Sequence, residues 1–481
     1  MSTDPEALVY HLPPEHFLSL PRPEAVFGPP AGTVDTTTLA AHDFDVDTRT
    51  GFMPPEQPLP RLSGIWVPWE DVLDDALARQ LRLGDKLGLS EMDQARSAEW
   101  RARVRDLPIL PTADLKKSEV VLRRSHHVLS WIMHFYIRTL PVSTPDIRIP
   151  PPLTVPLLQV SGYLQLPPVL TYSDDVLYNW GLKEEEGNTA PIPSLHNLRC
   201  LTLFTGTRDE EEFYLSSARI ELRGVEALSI MRASMDETFV GDDIAVRRIT
   251  TYLHSLASVI GDLTKLLLAV REGCDPQVFY NEIRPWFRGA DADVDAGKKW
   301  IFEGIELDPT LTYPAELSGP SAGQSSLIHA LDVFLGVDRY SHASHVTGKP
   351  STLGQPDAGP SHATTAPAEA GNSSVSFLTR MQSYMPRHHR NFLRHLSANP
   401  RPLREFVEAS GSAPLKESYN AAVTALKIFR DAHVRIVAIY IVGPSRSHER
   451  PESEMKGTGG TNSIKFVKSV RDQTAGAILD H

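Results

Sequence analysis

The chain has 481 residues, of which 41% are hydrophobic and 22% are charged, and its formal net charge is −12. This composition is typical of a soluble globular protein, and the length predicts two domains or one large and one small domain. The acidic balance disfavours partners that require clustered basic residues, namely nucleic acid and anionic membrane surfaces.

Targeting signals and cysteine usage bear on the compartment. The N-terminus lacks the basic start and apolar core of a signal peptide, and no run of about 18 apolar residues predicts a membrane span. The two cysteines, Cys200 and Cys274, fit no metal-binding pattern. Two thiols in so long a chain indicate a reducing compartment without a disulfide framework. We therefore expect a cytoplasmic protein.

The first part of the chain combines proline-rich sequence with two predicted helices. Prolines crowd residues 1–60, which predicts an extended segment that wraps around the protein. Pro68 begins a helix whose apolar face continues to about Leu81, and a second helix is predicted over residues 118–137. No carboxylate stands at ligand spacing from the three histidines of that second helix, so metal binding there is not favoured. These histidines are His126, His127 and His134.

The next segments lead towards a predicted domain boundary near residue 205. Residues 141–156 form a second proline-rich stretch, which we expect to separate helical units of the smaller N-terminal domain, residues 1–205. A helix opened by proline is predicted over residues 167–180, followed by a polar loop over residues 183–193. Residues 198–205 form a short apolar run that is either extended or a linker.

Residues 206–445 have the pattern of a large helical domain. Apolar periodicity predicts helices over residues 213–233, 246–271 and 324–335, the last of which ends at Gly336. Residues 338–375 are rich in small and polar residues and cannot bury enough apolar surface to order themselves. We interpret them as an exposed flexible insertion. Residues 446–481 form a separate C-terminal segment.

The last long helix, predicted over residues 417–442, places a histidine in the middle of its apolar face. That face is formed by Ala422, Leu426, Phe429, His433, Val437 and Tyr440. A histidine in this position is usually a hydrogen-bonded core residue. The same position also suits an axial haem ligand, which requires a single imidazole in an apolar wall. The periodicity leaves both interpretations open.

Five segments of the chain resemble the indoleamine 2,3-dioxygenase family and occur in that family's order. They are LPPVLTYSDDVLYNW at 166–180, SAGQSS at 321–326, YMPRHHRNFL at 384–393, RDAHVRIVAIYI at 430–441 and KGTGGT at 456–461. The resemblance extends from about residue 157 to about residue 474, and the ordered series is far more specific than any single match. It implies a mainly α-helical, two-domain fold that holds haem b in the large helical domain.

The resemblance implies a haem-binding role for six residues, of which Ser217 is described below with the pocket. His433 would be the proximal axial ligand of the haem iron, which would leave the opposite position open for dioxygen. Arg430 would lie near a haem propionate and pair with Asp332. Ser321 and Ala322 would let the backbone approach the flat cofactor, although Ser321 also suits a simple helix cap.

The resemblance implies that Phe279 and Arg284 bind the two ends of an indole amino acid. Phe279 would pack on the indole, and Arg284 would hold the carboxylate. Residues five apart do not share a face of an α-helix, which argues against a simple shared site. Pro285 removes this conflict if the helix ends at Arg284, because the residue before a proline is pushed out of helical geometry.

The remaining implied pocket positions are aromatic or hydroxylic: Tyr172, Phe213, Tyr214 and Ser217. Ser217 would hydrogen-bond near the oxygen and contact both haem and substrate, with Ser216 as the adjacent alternative. The glycine-rich segment 456–461 lacks the lysine and hydroxyl pair of a phosphate loop. It is implied to be a mobile lid that brings Thr458 to the substrate, anchored by a short helix over residues 464–470.

The chain departs from the family's pattern at three places. Pro320 stands where glycine is common, and Arg387 and His388 are unusual within the 384–393 segment. Asp175 is acidic at a position that lines the pocket and is often small and uncharged in the family. Because an uncompensated carboxylate near an indole is costly, Asp175 bears on affinity and substrate choice more than on haem binding.

The resemblance implies an oxidoreductase that inserts both atoms of O2 across the C2–C3 bond of L-tryptophan, giving N-formylkynurenine in the first step of the kynurenine pathway. No residue is expected to act as an acid or base, since the protein supplies orientation and excludes water. The implied partners are L-tryptophan, O2 and an external reductant, and we expect a monomer. The alternatives are a haem or oxygen carrier without dioxygenase activity and a helical interaction protein without haem.

Overall fold

The computed structural model describes residues 44–183, 193–295, 297–337, 377–446 and 463–480. Within these ranges the protein is mainly α-helical, which confirms the predicted fold class. The proline-rich residues 1–43, the predicted insertion 338–375 and the glycine-rich segment with Thr458 lie outside the described residues.

The first part of the fold contains four helices and one short strand. The helices are α1 (Val67–Ala78), α2 (Glu91–Arg105), α3 (Glu119–Arg138) and α4 (Pro151–Leu164), and the strand is β1 (Ile147–Ile149). The helices predicted from Pro68 and over residues 118–137 are thereby confirmed. Residues 141–156 are more than a separator, because they form β1 and begin α4. Prolines are tolerated in the first turn of α4 because the amides there have no intrahelical partner.

The helix predicted over residues 167–180 is wrong in extent. A single π-helical turn, Ser173–Leu177, is followed by strand β2 (Trp180–Leu182), which pairs antiparallel with β3 (Leu198–Cys200). The turn is set by buried contacts of the Asp174 carboxylate, which accepts from the amide and hydroxyl of Thr171 at 2.9 and 2.7 Å. These side-chain contacts compete with helical hydrogen bonding. The extended interpretation of residues 198–205 holds for β3.

The helix predicted over residues 213–233 is two helices, α5 (Arg208–Arg223) and α6 (Val225–Val240), which meet at Gly224. A Cβ at Gly224 would lie 2.2 Å from Cδ2 of Leu327, so the junction is where this leucine packs onto the backbone. The prediction missed the break because Leu327 is about 100 residues away. The helix predicted over residues 246–271 is confirmed as α7 (Asp243–Gly273).

The remaining elements of the described structure are mainly helical. They are α8 (Pro276–Val278), α9 (Ala290–Asp295), β4 (Trp300–Phe302), α10 (Ser326–Phe334), α11 (Phe377–Gln382), α12 (Arg387–Ser397), α13 (Leu403–Ser410), α14 (Ala413–Val437), α15 (Gly443–Arg446) and α16 (Ser463–Gly476). Strand β4 pairs parallel with β1, with Trp300 opposite Ile147. Two further π-helical turns, Phe279–Ile283 and Ala438–Val442, follow α8 and α14. A 3₁₀ turn, Ala322–Gln324, precedes α10. After the end of α10 the chain turns at Gly336, whose φ is +69°.

Helices α7 and α14 form the centre of one apolar cluster. Both helices contribute side chains that are fully buried: Leu253, Leu256, Ile260 and Leu263 from α7, and Ala422, Val423 and Leu426 from α14. A second cluster surrounds α3, where the Phe204 ring stacks on Trp131 and Trp286 with centroid distances of 4.0 and 5.1 Å. The predicted domain boundary near residue 205 stays a prediction.

Helix α7 is the one described helix that is long and apolar enough to cross a membrane by length and composition alone. No such segment is predicted from the sequence. A core helix of a globular protein meets the same criteria, and α7 packs against α5, α6 and α14. The match is therefore weak evidence for a membrane span.

Candidate active site

His433 lies on α14, among the helices of the described structure. Burial, with a smaller effect of the positive charge of Arg430, lowers the pKa of its imidazole to about 4. The residue nevertheless keeps some accessible surface. No hydrogen bond to His433 is found within the described ranges. A ring nitrogen without a hydrogen bond is available to haem iron, which a hydrogen-bonded core histidine would not offer. A ligating imidazole also calls for a partner on its other ring nitrogen, and the described residues supply none.

Arg430 is buried three residues before His433, so it is not a surface charge. Its Nη2 donates to both carboxylate oxygens of Asp332 at 2.5 and 2.6 Å, and its Nη1 contacts the Thr474 hydroxyl of α16. The expected pairing with Asp332 is therefore present. Positions three apart are neighbours on a helix, so the guanidinium lies beside the imidazole. Its role at a haem propionate stays a prediction.

Ser321 and Ala322 begin the turn that leads into α10. The Ser321 hydroxyl accepts the amide of Gly323 at 3.2 Å, which confirms the capping interpretation, and Ala322 is exposed. The backbone just before them is tightly placed, because a Cβ at Gly319 would lie 1.9 Å from the carbonyl oxygen of Phe287. The turn of Ser321 is thereby held against the chain that carries Arg284.

Phe279 and Arg284 are joined by a π-helical turn rather than an α-helix. The amide of Arg284 donates to the carbonyl of Phe279, which is the i→i+5 bond that defines a π turn. The wider turn brings positions five apart towards the same side, which removes the objection raised from α-helical spacing. The expected exit from helical geometry at Arg284 is wrong, since its φ and ψ are −54° and −36°. Pro285 instead begins a 3₁₀ turn, Arg284–Phe287.

Arg284 and Phe279 point into buried surroundings. The Arg284 side chain is 4% exposed, and its guanidinium lies 5.3 Å from the centre of the Tyr280 ring. The Phe279 ring lies 4.5 Å from Phe213 and 5.6 Å from Tyr440 between centroids. Tyr440 belongs to the π turn that continues α14, so the helix of His433 reaches the aromatic cluster of Phe279 directly.

Ser217 and Ser216 can now be distinguished. Ser216 is buried, and its hydroxyl donates to the carbonyl of Leu266 in α7 at 3.4 Å. Ser217 and Phe213, four residues apart on α5, both keep accessible surface and share one face of the helix. The geometry therefore favours Ser217 as the pocket residue.

A buried hydrogen-bond network ties Tyr172 to the turn of Ser321. The hydroxyls of Tyr172 and Ser325 both donate to Oε1 of Glu221, at 2.9 and 2.7 Å, and the amide of Tyr172 donates to Gln324 at 2.8 Å. Burial raises the pKa of Glu221 to about 7, against the effect of the two hydroxyl hydrogen bonds. The sequence reasoning missed Glu221, although its position four residues after Ser217 places it on the same face of α5.

The other unusual residues have structural partners. Arg387 donates to Glu119 at 2.6 Å, and the His388 imidazole lies 3.5 Å from the same carboxylate, so both connect α12 to the start of α3. The three histidines of α3 contact different groups. His126 lies 2.7 Å from Asp174, His127 lies 2.8 Å from Thr202, and His134 lies 2.8 Å from the carbonyl of Trp286.

Comparison with known proteins identifies the family of the chain. The sequence profile described as Indoleamine 2,3-dioxygenase matches residues 40–477. An indoleamine 2,3-dioxygenase of Saccharomyces cerevisiae is 31% identical and covers 82% of this chain and 90% of its own length. An indoleamine 2,3-dioxygenase 1 of Rattus norvegicus is 31% identical (91% and 95%), and a 6-hydroxytryptophan 2,3-dioxygenase of Fusarium equiseti is 29% identical (91% and 97%). The chain therefore belongs to the indoleamine 2,3-dioxygenase family and has its helical fold.

Proposed function

We propose that this protein is a haem-dependent dioxygenase that cleaves the C2–C3 bond of L-tryptophan with O2 and releases N-formylkynurenine. Its family membership supports an oxidoreductase of the dioxygenase class. Within the structure, the proposal is carried by the neutral, unbonded His433 on a helix that also reaches the aromatic cluster of Phe279. We further propose that the protein acts as a monomer in the cytoplasm.

The residues around His433 fit haem b. His433 would provide the axial ligand, and Arg430, oriented by Asp332, would neutralise a propionate. The small side chains of Ser321 and Ala322 would allow the edge of the ring to approach. When bound, haem b supplies the ferrous iron at which dioxygen is activated, and an external reductant maintains the ferrous form.

The pocket residues bind and orient the substrate. Phe279 and Phe213 offer aromatic surface for the indole, and Arg284 offers a buried guanidinium for the carboxylate. Tyr172 and Ser217 complete the wall, and Thr458 is assigned to the lid by resemblance alone. None of these groups is placed as a proton donor or acceptor for the reaction. Their contribution is orientation and the exclusion of water.

The test compares haem binding and turnover in the wild-type protein and His433→Ala. We expect the wild-type protein to show a Soret band and, when ferrous, to form a product that absorbs in the near ultraviolet from L-tryptophan. His433→Ala should lose both, whereas His254→Ala, an exposed histidine of α7, should keep both. A wild-type protein that binds O2 and haem without forming product would instead be a carrier.

A further inference from the structure

Asp175 is a buried carboxyl group that lacks a donor for one of its oxygens. Its side chain is 4% exposed, and Oδ1 has no hydrogen-bond partner among the residues that the structure describes. Burial and the neighbouring charges of Asp174 and Glu210 hold the pKa of Asp175 well above its usual range, although its own backbone amide acts in the opposite direction. Burial therefore disfavours the charged form of this carboxyl group.

The other buried carboxyl groups nearby have donors. Asp174 is bonded by Thr171 and lies 2.7 Å from His126. Glu210 accepts the amides of Phe204 and Thr205 at 2.7 and 2.6 Å. Glu221 accepts two hydroxyls through Oε1. An unpaired buried polar atom is uncommon in folded proteins. Oδ1 of Asp175 is such an atom, and Oε2 of Glu221 is another, whereas Asp174 and Glu210 are not among the unpaired groups of the described residues.

The position of Asp175 places this group at the wall of the substrate pocket. Its π turn begins directly after Tyr172 and packs against α5, the helix of Phe213, Tyr214 and Ser217. Burial is the main reason that the pKa values of the Tyr172 and Tyr214 hydroxyls are raised, and the charge of Asp175 contributes to both. Asp175 therefore lies close to two tyrosines of this wall. Arg284, which is proposed to bind the substrate carboxylate, belongs to a different segment of the chain.

We infer that Asp175 is a specificity-determining residue that hydrogen-bonds a hydroxyl group on the aromatic ring of the substrate. The inference rests on the proposed function, because it requires an indole amino acid in the pocket. A carboxyl oxygen accepts a hydrogen bond from a hydroxyl group in either protonation state of the carboxyl group. An unsubstituted benzo ring presents only C–H groups and leaves the buried oxygen unpaired. The favoured substrate class is therefore ring-hydroxylated tryptophan.

The test measures kcat/KM for tryptophan and for 4-, 5-, 6- and 7-hydroxytryptophan with the haem-loaded protein. We expect the wild-type protein to have a higher kcat/KM for at least one hydroxylated isomer than for tryptophan. In Asp175→Ala the ratio of kcat/KM for that isomer to kcat/KM for tryptophan should fall by roughly tenfold or more. Asp175→Asn, which retains a donor and an acceptor, should lie between the two. Glu306→Ala removes an exposed carboxylate and should leave the ratio unchanged. Because each ratio is taken within one protein, haem loading and folding cancel.

Equilibrium titrations of each amino acid, followed by the Soret band, provide a reading that does not depend on turnover. They should show the same loss of preference in Asp175→Ala. An unchanged ratio in that variant would overturn the inference, as would an equal loss for every substrate, which would indicate a contact with the ammonium group common to all of them. A protein that binds and converts none of the five amino acids would contradict the proposed function instead.

Discussion

The buried ion pair between Arg430 and Asp332 predicts that Asp332→Ala lowers the free energy of unfolding much more than Asp431→Ala. Asp332→Ala leaves the Arg430 guanidinium buried without its carboxylate. Asp431→Ala removes the neighbouring acid of α14, whose pair with Lys427 has an N–O distance of 2.7 Å. The two substitutions delete the same group, so they isolate the effect of burial.

The magnitude follows from the surroundings of each pair. The Arg430 and Asp332 side chains are 7% and 6% exposed, whereas those of Lys427 and Asp431 are 35% and 38% exposed. Removing one partner of a buried pair costs about 3–5 kcal/mol because the other charge stays desolvated. An exposed pair contributes about 0–1 kcal/mol because water and salt screen it. We therefore expect Asp332→Ala to be destabilising by roughly 3 kcal/mol more than Asp431→Ala.

Urea unfolding followed by far-ultraviolet circular dichroism measures this difference for proteins of matched haem content. The free energy of unfolding should fall strongly in Asp332→Ala and remain near the wild-type value in Asp431→Ala. Equal losses in the two variants would refute the argument that burial determines the strength of the Arg430 contact. A further drop in haem affinity in Asp332→Ala would support the propionate role of Arg430.

Three further predictions concern the pocket. Arg284→Lys keeps the charge but loses the planar pair of donors, so we expect KM for L-tryptophan to rise by about tenfold or more in steady-state assays. An unchanged KM in both Arg284→Lys and Arg284→Ala would exclude a contact between Arg284 and the substrate carboxylate. Folding raises the pKa of Glu221 from 4.5 to about 7, so the folded protein binds this proton more tightly. Stability should then fall by about 3 kcal/mol as pH rises from 4.5 through 7, and Glu221→Gln should remove this slope in unfolding measured at several pH values. Gly319→Ala would place a Cβ 1.9 Å from the Phe287 carbonyl oxygen, so it should lower both the melting temperature and the affinity for tryptophan. The control is Gly261→Ala on α7, whose new Cβ would meet no atom within 4 Å and which should lower neither.

The helices with a continuous apolar stripe could be predicted from the sequence because the 3.6-residue period depends only on neighbouring residues. This applies to α3, α7 and α14, and it placed His433 on the buried face of α14. The elements that were predicted wrongly depend on distant residues. Leu327 packs at Gly224 between α5 and α6, and His126 contacts the Asp174 carboxylate that shapes the turn before β2.

The residues of the candidate site divide in the same way. The order of the five motifs predicted the family, and the family implied His433, Arg430, Phe279 and Arg284 without any coordinates. Spacing alone counted against a shared site for Phe279 and Arg284, because a π turn is not visible in apolar periodicity.

The mainly helical fold and the family could be predicted from the amino-acid sequence, since they depend on local periodicity and on motif order; the residues nearest the proposed chemistry stay a prediction. Which oxygens of the buried carboxyl groups have donors depends on the tertiary structure. Oε1 of Glu221 receives hydroxyls from Tyr172 and Ser325, which lie 49 and 104 positions away in the chain, while Oε2 of Glu221 and Oδ1 of Asp175 receive none from the described residues. Hydrogen-bond satisfaction depends on which distant segments meet, and no local pattern records it.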